Sequence, residues 1–365
     1  MNINLLFLCD LKHGGPVNTL ARLRYAFSAM GYGVTIYKLR KRTESRMRPL
    51  RGMSYINLCM NDMIEVTRND LTLIVTAHLK DEQYIDASYE LMVNHGAGLF
   101  VGGDGELARG DDCEDFARYL AAMGVKVIVP RESIRDWCSE VYGLDSVIAR
   151  LPVPASMIPF DGIGNREHHA VSFTTLHRDK HTDWSFIAND NLPEDKRIEI
   201  WGNFVGNPYW FWNGLPDGIK EKWDLGMKLC LHYHGPLSAE DTNQAVVLAS
   251  KSTYCMDLMD RKMALSDMYD GGDLETVGME ALCGGSILVM HRNWVSCRSD
   301  SRLIENHNCV AVEDPQELED LLLYEDPNNL VHTIYNGRKL LREHVPRVVV
   351  PLYVDYLEER CQRIV

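Results

Sequence analysis

The sequence predicts an α/β protein built from two similar halves. Short apolar runs suited to buried strands, such as Ile3–Cys9, Leu71–Thr76 and Ile287–Met290, alternate with longer, more polar stretches of helical character. This alternation is typical of parallel sheets with crossover helices. Glycines follow several of the runs, and three prolines interrupt the chain over Arg150–Pro159. We therefore predict one α/β domain on each side of that interruption.

The first half opens with a strand, a glycine turn and a helix. Gly14 and Gly15 follow the first apolar run, and we predict a helix over Val17–Met30 and a second strand over Gly33–Leu39. Glycines at this place let a phosphate approach the amide groups of a helix N-terminus. Any tight turn between a strand and a helix can also use glycines, so both interpretations stay open.

An acidic residue follows a later strand of the same half. Asp104 lies in the glycine-rich stretch Gly102–Glu106, directly after the apolar run Gly98–Val101. A carboxylate at a strand end can accept a proton from an acceptor hydroxyl, as a general base does. Aspartate is also common in turns without any catalytic role, and the residues alone leave the two possibilities open.

Charge is distributed unevenly along the chain. The formal net charge is −14, yet residues 1–51 hold ten basic and two acidic side chains, which is +8 for this segment and leaves −22 for the remainder. Phosphate neutralisation drives nucleic-acid binding, so the net charge disfavours it and the local excess favours it. A solvated loop paired with nearby carboxylates is the alternative. The densest part of the segment contains the predicted DNA contacts Lys38, Arg40, Lys41, Arg42, Arg46, Arg48 and Arg51.

The second half begins with a predicted strand over His169–Thr174. Arg178 and Lys180 come just after it, where cations can hold a diphosphate and stabilise its charge as it leaves. Basic residues are also common on surface turns, so this pattern alone does not establish a diphosphate site. The aromatic segment Phe204–Trp223 is interpreted as packing over its own domain, with base or sugar stacking as the alternative.

Two glutamates five residues apart, Glu275 and Glu280, precede a glycine pair and a buried strand. We place them at the start of a helix that ends at Gly284 and Gly285, because glycine commonly caps a helix C-terminus. Carboxylates in a first helical turn complement the helix dipole. Such carboxylates can also hold sugar hydroxyls, and these residues alone do not decide between the two roles.

Composition excludes several other classes of protein. No stretch reaches the about eighteen apolar residues of a membrane span, and no basic leader precedes the first apolar run, so we expect a cytosolic protein without a membrane partner. The ten cysteines are scattered without CxxC spacing, which predicts reduced thiols and neither a zinc site nor a disulfide framework. We predict no metal requirement. His232 and His234 alternate along a short predicted strand and are interpreted as packing or loop residues.

The segment Ala249–Val289 contains the blocks ASKSTYCMDL and LETVGMEALCGGSILV. These blocks resemble the GT-B glycosyltransferases, and more narrowly the DNA α-glucosyltransferases of T-even bacteriophages, which have a similar SKS segment and two glutamates at the same spacing. Weaker similarity lies at Leu6–Tyr37, Phe100–Asp104, Thr174–Lys180 and Ile198–Asn203. The similarity therefore reaches across most of the chain, with one specific block.

The resemblance implies two Rossmann-like domains that face each other across a cleft, the GT-B arrangement. Residues 1–155 would form the acceptor (DNA) domain and residues 156–345 the UDP-sugar donor domain. Residues 346–365 would form a C-terminal helix that packs back on the first domain. The reaction implied is retaining transfer of a hexose or pentose from a UDP-sugar to a hydroxymethylated pyrimidine in double-stranded DNA. Such an enzyme would act in the cytoplasm of the infected bacterial host, with the UDP-sugar as substrate and no tightly bound cofactor.

The resemblance also implies roles for individual residues. Glu280 is similar to the ribose-binding glutamate and Glu275 to the one near the sugar, which makes Glu275 a catalytic candidate as well. Lys180 is similar to the diphosphate lysine. Gly14 and Gly15 resemble the donor-contacting loop, and Asp104 resembles the acceptor-side base.

Two positions depart from the family pattern. Thr175 stands where the family has an arginine, so Arg178 would have to supply that charge. Gly103 stands where the family has a histidine beside the aspartate, which leaves the general base open.

Three functions remain open at the level of sequence. The first is the DNA glycosyltransferase described above. The second is a GT-B transferase with a carbohydrate or lipid acceptor, which the charge of −22 beyond residue 51 would suit. The third is a nucleotide-binding or DNA-binding module without catalysis. The sequence does not identify the sugar. It also does not decide whether the acceptor is hydroxymethylcytosine, hydroxymethyluracil or a sugar already attached to the base, and it does not determine the oligomeric state.

Overall fold

The structure is a computed structural model that divides into two compact units. The division falls after Val153, close to the boundary predicted at 155, and the chain returns to the first unit at Arg342. The residues that the structure describes are 1–8, 14–39, 53–69, 71–76, 86–87, 90–92, 111–153, 157–176, 180–204, 208–222, 232–237, 243–260 and 271–364.

The first unit contains a four-stranded parallel sheet in the order β3-β2-β1-β4 and a separate parallel pair, β5 and β6. Its strands are β1 Asn2–Leu8, β2 Gly33–Leu39, β3 Ile56–Leu58, β4 Leu71–Thr76, β5 Val127–Val129 and β6 Ser146–Ile148. Strand β1 is buried from Ile3 onward and has a partner strand on each side. Apart from Asn4 its buried residues are apolar, as suits a central parallel strand. The helices described here are α1 Gly14–Ala29, α2 Met60–Asn69, α3 Asp111–Ala122 and α4 Glu132–Tyr142.

The C-terminal helix belongs to the first unit. We designate it α13, and it spans Pro346–Ile364. Its fully buried Tyr353 packs edge-on against Phe27 of α1, with ring centroids 6.0 Å apart, and donates a hydrogen bond to the backbone oxygen of Ala149 at 3.1 Å. Tyr356 donates a further bond to the backbone oxygen of Lys126. These two buried hydroxyl groups attach the C-terminal helix to residues 126–149 of the same unit.

The second unit contains a five-stranded parallel sheet in the order β11-β10-β9-β7-β8. Its strands are β7 His168–Ser172, β8 Ile198–Ile200, β9 Ser252–Asp257, β10 Ile287–His291 and β11 Val310–Val312. Its helices are α5 Asp183–Asn191, α6 Pro208–Asn213, α7 Asp217–Lys222, α8 Gln244–Ser250, α9 Thr276–Gly284, α10 Arg292–Ser296, α11 Pro315–Tyr324 and α12 Pro327–Leu340. Every residue of β9 and β10 is buried, which makes these two strands the centre of the unit's core.

The glycine pair after α9 has the predicted capping role. Gly285 adopts the left-handed conformation at φ 86° and donates its amide hydrogen to the oxygen of Ala281, so it ends the helix. Gly284 has a different function, because α9 and α8 approach each other closely there. A Cβ atom on Gly284 would lie 2.5 Å from the Cβ of Ala249 and 2.7 Å from the amide nitrogen of Ser250.

We therefore expect Gly284→Ala to destabilise the protein by about 1–3 kcal/mol, because the added methyl group forces α8 and α9 apart. Gly218→Ala is the matched control. Gly218 also lies in a helix, α7, but nothing stands within 4 Å of the position of its Cβ atom. The control should be neutral or stabilising by up to about 1 kcal/mol. Urea denaturation of both variants measures the difference, and equal midpoints would contradict the close approach of the two helices.

Two predictions in the first unit need correction. Helix α1 begins at Gly14 rather than at Val17, so Gly14 and Gly15 lie in its first turn and not in a loop before it. Lys38 lies in β2 and its side chain is fully buried. It therefore cannot belong to an exposed DNA-binding surface, because the strand turns it into the protein. The other predicted DNA contacts lie outside the described residues: Arg40, Lys41, Arg42, Arg46, Arg48 and Arg51.

Within the described ranges, no helix combines the length and the apolar character that crossing a membrane requires.

The aromatic segment packs as expected where it is described. Phe211 of α6 contacts Phe186 and Phe204, with ring centroids 5.5 and 5.6 Å away, and belongs to the buried core of the second unit.

Candidate functional site

Polar side chains gather at the carboxyl edge of the second sheet. Three adjacent strands end there: β7 is followed by Lys180 and His181, β9 ends at Asp257, and β10 ends at His291. In open α/β sheets, ligands bind outside the carboxyl ends of the strands. We call the following set the strand-end site: Lys180, His181, Asp257, Asp260, Glu275, Glu280 and His291.

Asp257 joins the sheet to α9. It is 1% exposed, and its Oδ2 accepts a hydrogen bond from the amide nitrogen of Gly278 at 3.0 Å. Burial raises the pKa of Asp257 to about 6, although Lys180 and the Gly278 amide oppose that rise. Lys180 therefore lies close enough to Asp257 to act on its charge. The predicted diphosphate lysine therefore acts on the same carboxylate that binds the first turn of α9.

A pH prediction follows from the buried carboxyl of Asp257. Its pKa is about 3.9 when unfolded and about 6 in the folded protein. The group's contribution to stability is therefore fully present below about pH 4 and is lost as the pH rises through about 6. Asp257→Asn keeps an acceptor for Gly278 and removes the charge. We expect the variant to gain stability over the wild type as the pH rises from 4 to 7, by at most about 3 kcal/mol.

Thermal unfolding at several pH values measures that gain. The control is Asp320→Asn, which changes an exposed carboxyl of α11. A difference between Asp257→Asn and the wild type that does not change with pH would contradict the buried, titrating carboxyl.

Glu275 directly precedes α9 and Glu280 lies within it, whereas both were predicted at the start of the helix. Glu275 is the N-cap residue of the helix, with extended backbone and no capping hydrogen bond from its side chain, and it is buried. Glu280 lies in the second turn, so the prediction that both carboxylates occupy the start of the helix was wrong for this residue. Burial, Asp257 and Glu280 all raise the pKa of the Cys255 thiol in β9, which shows that Glu280 is close to this strand.

The segment before α9 is held rigidly. Gly272 has φ 80°, donates to the backbone oxygen of Trp294 at 2.7 Å and accepts from the amide of Arg302 at 2.8 Å. Asp273 is 4% exposed and forms an ion pair with Arg302 at 2.7 Å. The indole of Trp294 donates to the backbone oxygen of Asp273 at 2.9 Å. These contacts fix the residue that precedes Leu274 and Glu275, and so they fix the N-terminus of α9.

Two histidines and a carboxylate form a separate cluster at the carboxyl edge of the same sheet. Nε2 of His181 and Nε2 of His291 lie 3.7 and 3.9 Å from Oδ2 of Asp260. The two imidazole rings stack with centroids 4.7 Å apart at 18°, and the indole of Trp184 packs against both. His181 lowers the pKa of Asp260 most strongly, so this carboxyl is ionised at neutral pH.

This cluster is the group of described residues that brings three potential metal-ligand atoms within 4.8 Å of one another. Its geometry does not suit a metal ion. Nδ1 of His291 accepts the amide hydrogen of Asn293 at 3.1 Å, so the neutral ring carries its proton on Nε2, the atom that would bind the metal.

The structure describes some of the predicted site residues and not others. It brings Lys180 and both glutamates to one edge of one sheet, and it places Gly14 and Gly15 at the N-terminus of α1 in the first unit. Arg178 and Asp104 lie outside the described residues. Sequence reasoning missed Asp257, Asp260, His181 and His291. The available signal was their position at or shortly after the end of a predicted strand.

No protein-family model matches the chain, and no curated protein matches its sequence. Solved structures do match. An α-glucosyltransferase in complex with UDP-glucose and DNA containing an abasic site is 13% identical, with a TM-score of 0.65, over 98% of this chain and 99% of that one. HepE of Anabaena, in complex with UDP and glucose, is 11% identical, with a TM-score of 0.64, over 98% and 100% of the two chains.

The pneumococcal O-GlcNAc transferase GtfA, in complex with UDP and GlcNAc, is 10% identical, with a TM-score of 0.65, over 99% of both chains. The fold is GT-B. The fold class predicted from the sequence is therefore confirmed, and so is the similarity to the DNA α-glucosyltransferases at the level of structure. In this GT-B chain, the strand-end site lies entirely in the second unit.

Proposed function

We propose that the chain is a UDP-sugar-dependent glycosyltransferase that binds its donor at the strand-end site. The observation that carries this proposal is the charge of Lys180 acting on the buried Asp257, which binds the amide of Gly278 in α9. That helix begins directly after Glu275 and contains Glu280, and both carboxylates are buried. A nucleotide sugar needs a cation for its diphosphate and acceptors for its hydroxyl groups, and this edge of the sheet offers both. UDP or UDP-glucose is bound in the three similar structures described above.

Four residues of the strand-end site have a role in this proposal. Glu280 accepts hydrogen bonds from the ribose hydroxyls, and Glu275 lies near the transferred sugar. Lys180 binds the diphosphate. During transfer the bond between the sugar's C1 and the diphosphate oxygen breaks, and both electrons leave with UDP. Lys180, together with Arg178, stabilises the charge that develops there, which is a major source of rate enhancement in group transfer. Rigid support of α9 through Asp257 and Asp273 keeps the carboxylates in position for this step.

For the acceptor we propose the hydroxymethyl group of a modified pyrimidine in double-stranded DNA, with retention at the anomeric carbon. Support comes from the DNA bound in one similar structure and from the charge of +8 on residues 1–51. The acceptor oxygen bonds to C1 and gives up its proton, for which Asp104 is the proposed base. The basic residues from Arg40 to Arg51 would contact DNA phosphates. The setting is the cytoplasm of an infected bacterium.

A carbohydrate or lipid acceptor is the second candidate. GtfA and HepE are two similar structures whose complexes contain UDP and no DNA, and the chain beyond residue 51 carries a charge of −22. A third possibility is a nucleotide-binding or DNA-binding module without catalysis. It predicts UDP binding with neither transfer to any acceptor nor hydrolysis of any UDP-sugar.

Nucleoside mass spectrometry separates these candidates. Duplexes that contain hydroxymethylcytosine, hydroxymethyluracil or only ordinary bases are incubated with UDP-glucose, UDP-galactose, UDP-GlcNAc or UDP-xylose, digested and analysed. The proposal predicts a mass gain of one sugar on a hydroxymethylated base and none on the ordinary duplex. Hydrolysis of a UDP-sugar without any gain on DNA would exclude the DNA acceptor and favour the second candidate.

A further inference from the structure

The C-terminal end of α9 is held by an arginine from another helix. Arg338 lies in the last turn of α12, and its side chain reaches α9. Its Nε donates to the backbone oxygen of Leu282 at 2.8 Å, and its Nη2 donates to that of Cys283 at 3.0 Å. The last carbonyl groups of a helix have no partner within the helix, and a cation there also complements the helix dipole. Arg338 therefore supplies both the hydrogen bonds and the charge that this helix end needs.

The same guanidinium binds a second segment of the chain. Nη2 of Arg338 also donates to the backbone oxygen of Ile158 at 2.8 Å, and the amide of Ile158 donates to the oxygen of Cys283 at 3.0 Å. This segment follows the point where the chain enters the second unit. The ring of Phe160 packs against the guanidinium, whose central carbon lies 5.7 Å from the ring centroid. Arg338 thus ties the end of α9 to residues 158–160.

The space around this helix end is filled. Helix α12 approaches α9 closely, since a Cβ atom on Gly337 would lie 2.6 Å from Cδ2 of Leu282. A Cβ atom on Gly285, the residue that ends α9, would lie 2.8 Å from Nη2 of Arg338 and 2.9 Å from Cδ2 of Phe160. Burial lowers the pKa of the Arg338 guanidinium, as expected in such an enclosure. The helix end is therefore fixed by contacts on several sides, and Arg338 provides the polar ones.

Helix α9 is short, and both of its ends are held from outside. It has nine residues, and an isolated helix of this length is marginal. Its N-terminal end is bound to the end of β9 and to the segment before the helix. Glu280 lies two residues before Leu282, which is about 3 Å along the helix axis. Glu275 lies seven residues before Leu282, or about 10 Å. The contact with Arg338 is therefore much closer to Glu280 than to Glu275.

We infer that Arg338 is a positioning residue for Glu280 in the donor site. This inference rests on the proposed function, in which Glu280 accepts hydrogen bonds from the ribose. A hydrogen bond weakens steeply when its distance or angle is poor, so a binding carboxylate must be held within about 0.5 Å of its productive position. Clamping the C-terminal end of α9 sets the position of Glu280 along and around the helix axis. Arg338 acts through the helix and does not itself contact the nucleotide.

Calorimetric titration with UDP, at a temperature where each variant is folded, tests the inference. Arg338→Gln should weaken UDP binding about tenfold, because the bond between the ribose and Glu280 is misaligned. Arg338→Lys keeps the charge, but a single ammonium group does not reproduce the planar fork that binds three oxygens, so it should recover part of the affinity. In the Glu280→Gln background, Arg338→Gln should change the affinity by no more than about twofold, since the contact that it positions is already lost. A residue needed only for folding would not show this dependence on Glu280.

Two matched variants control for the loss of a basic side chain. Lys339→Gln changes the next residue of α12, which is exposed and donates a bond within its own helix at 2.7 Å. Arg197→Gln makes the same change as Arg338→Gln in an arginine that directly precedes β8 and binds Leu192 and Glu194. Both variants should bind UDP like the wild type. Thermal unfolding without UDP gives the temperature range in which each variant is folded.

The outcomes separate the inference from the proposed function. Wild-type affinity in Arg338→Gln, or a loss that adds fully to that of Glu280→Gln, overturns the inference and leaves UDP binding intact. If Arg338→Gln does not fold, Arg338→Lys takes its place in the same cycle, and wild-type affinity or full additivity there overturns the inference. Failure of the wild type to bind UDP, or wild-type affinity in Glu280→Gln, overturns the proposed donor site and the inference with it.

Discussion

Glu280→Gln is expected to lower kcat/KM for the UDP-sugar on the order of 100-fold. The loss follows from replacing a charged acceptor with a neutral one, and each hydrogen bond to a charged group contributes about 1.5–3 kcal/mol. Steady-state kinetics measure this loss, and thermal unfolding shows whether the variant is folded at the assay temperature.

Activity measured at a temperature where both proteins are folded distinguishes a binding residue from a structural one. A glutamate that only supports the helix would lose activity only in proportion to the fraction of unfolded protein when it is replaced. Glu221→Gln is the matched control, because Glu221 is exposed on α7 in the same unit and should change neither quantity. Wild-type kinetics in Glu280→Gln would contradict the proposed ribose contact.

Asp273→Ala is expected to destabilise the second unit by about 3–5 kcal/mol, the effect of removing one partner of a buried ion pair. Arg302 would keep its charge at 14% exposure without the carboxylate that now lies 2.7 Å away. The amide of Leu274 would also lose its acceptor at 2.8 Å. Because this segment fixes Glu275 and the start of α9, transfer activity should fall even at temperatures where the variant is folded. Urea denaturation and activity assays at low temperature measure both.

An exposed ion pair of the same unit provides the comparison. Glu167 and Lys251 lie 3.0 Å apart, but their side chains are 59% and 44% exposed. Glu167→Ala should therefore change stability by less than about 1 kcal/mol. Equal losses in Asp273→Ala and Glu167→Ala would refute the role of the buried pair in holding α9. A double-mutant cycle with Arg302→Leu gives the coupling between Asp273 and Arg302.

Local patterns predicted much of the fold. The end of α9 at Gly285 was predictable because a glycine C-cap is a property of a few adjacent residues. The start of α9 was not, since the Gly278 amide is held by Asp257, far away in the sequence. Helix α12 illustrates a signal that was overlooked, because Asp326 and Pro327 form an N-cap and first position like Asp314 and Pro315 of α11.

Lys38 shows how local charge can mislead. Its basic neighbours suggested an exposed segment, yet in a strand it shares a face with Ile36, which is also buried. The period of two along β2 could have placed Lys38 inside. Whether a charged residue at the end of a strand is buried depends on the face of the strand on which it lies. The composition of the segment does not give that face.

The strand-end site is harder to predict from local sequence than the strands are, because it depends on tertiary structure. His181, Asp260 and His291 come from three segments whose spacing follows no local rule, and they meet because β7, β9 and β10 are neighbours in a parallel sheet. Strand order is set by the whole fold. The two glutamates were found through resemblance, whereas their buried partner Asp257 required the structure.

A crystal structure of the protein with UDP tests the assignment of the donor site. The proposed function predicts ribose hydroxyls within hydrogen-bonding distance of Glu280 and the diphosphate beside Lys180, at the carboxyl edge of the second sheet. UDP bound elsewhere, with Glu280 and Lys180 out of contact with it, would contradict the assignment.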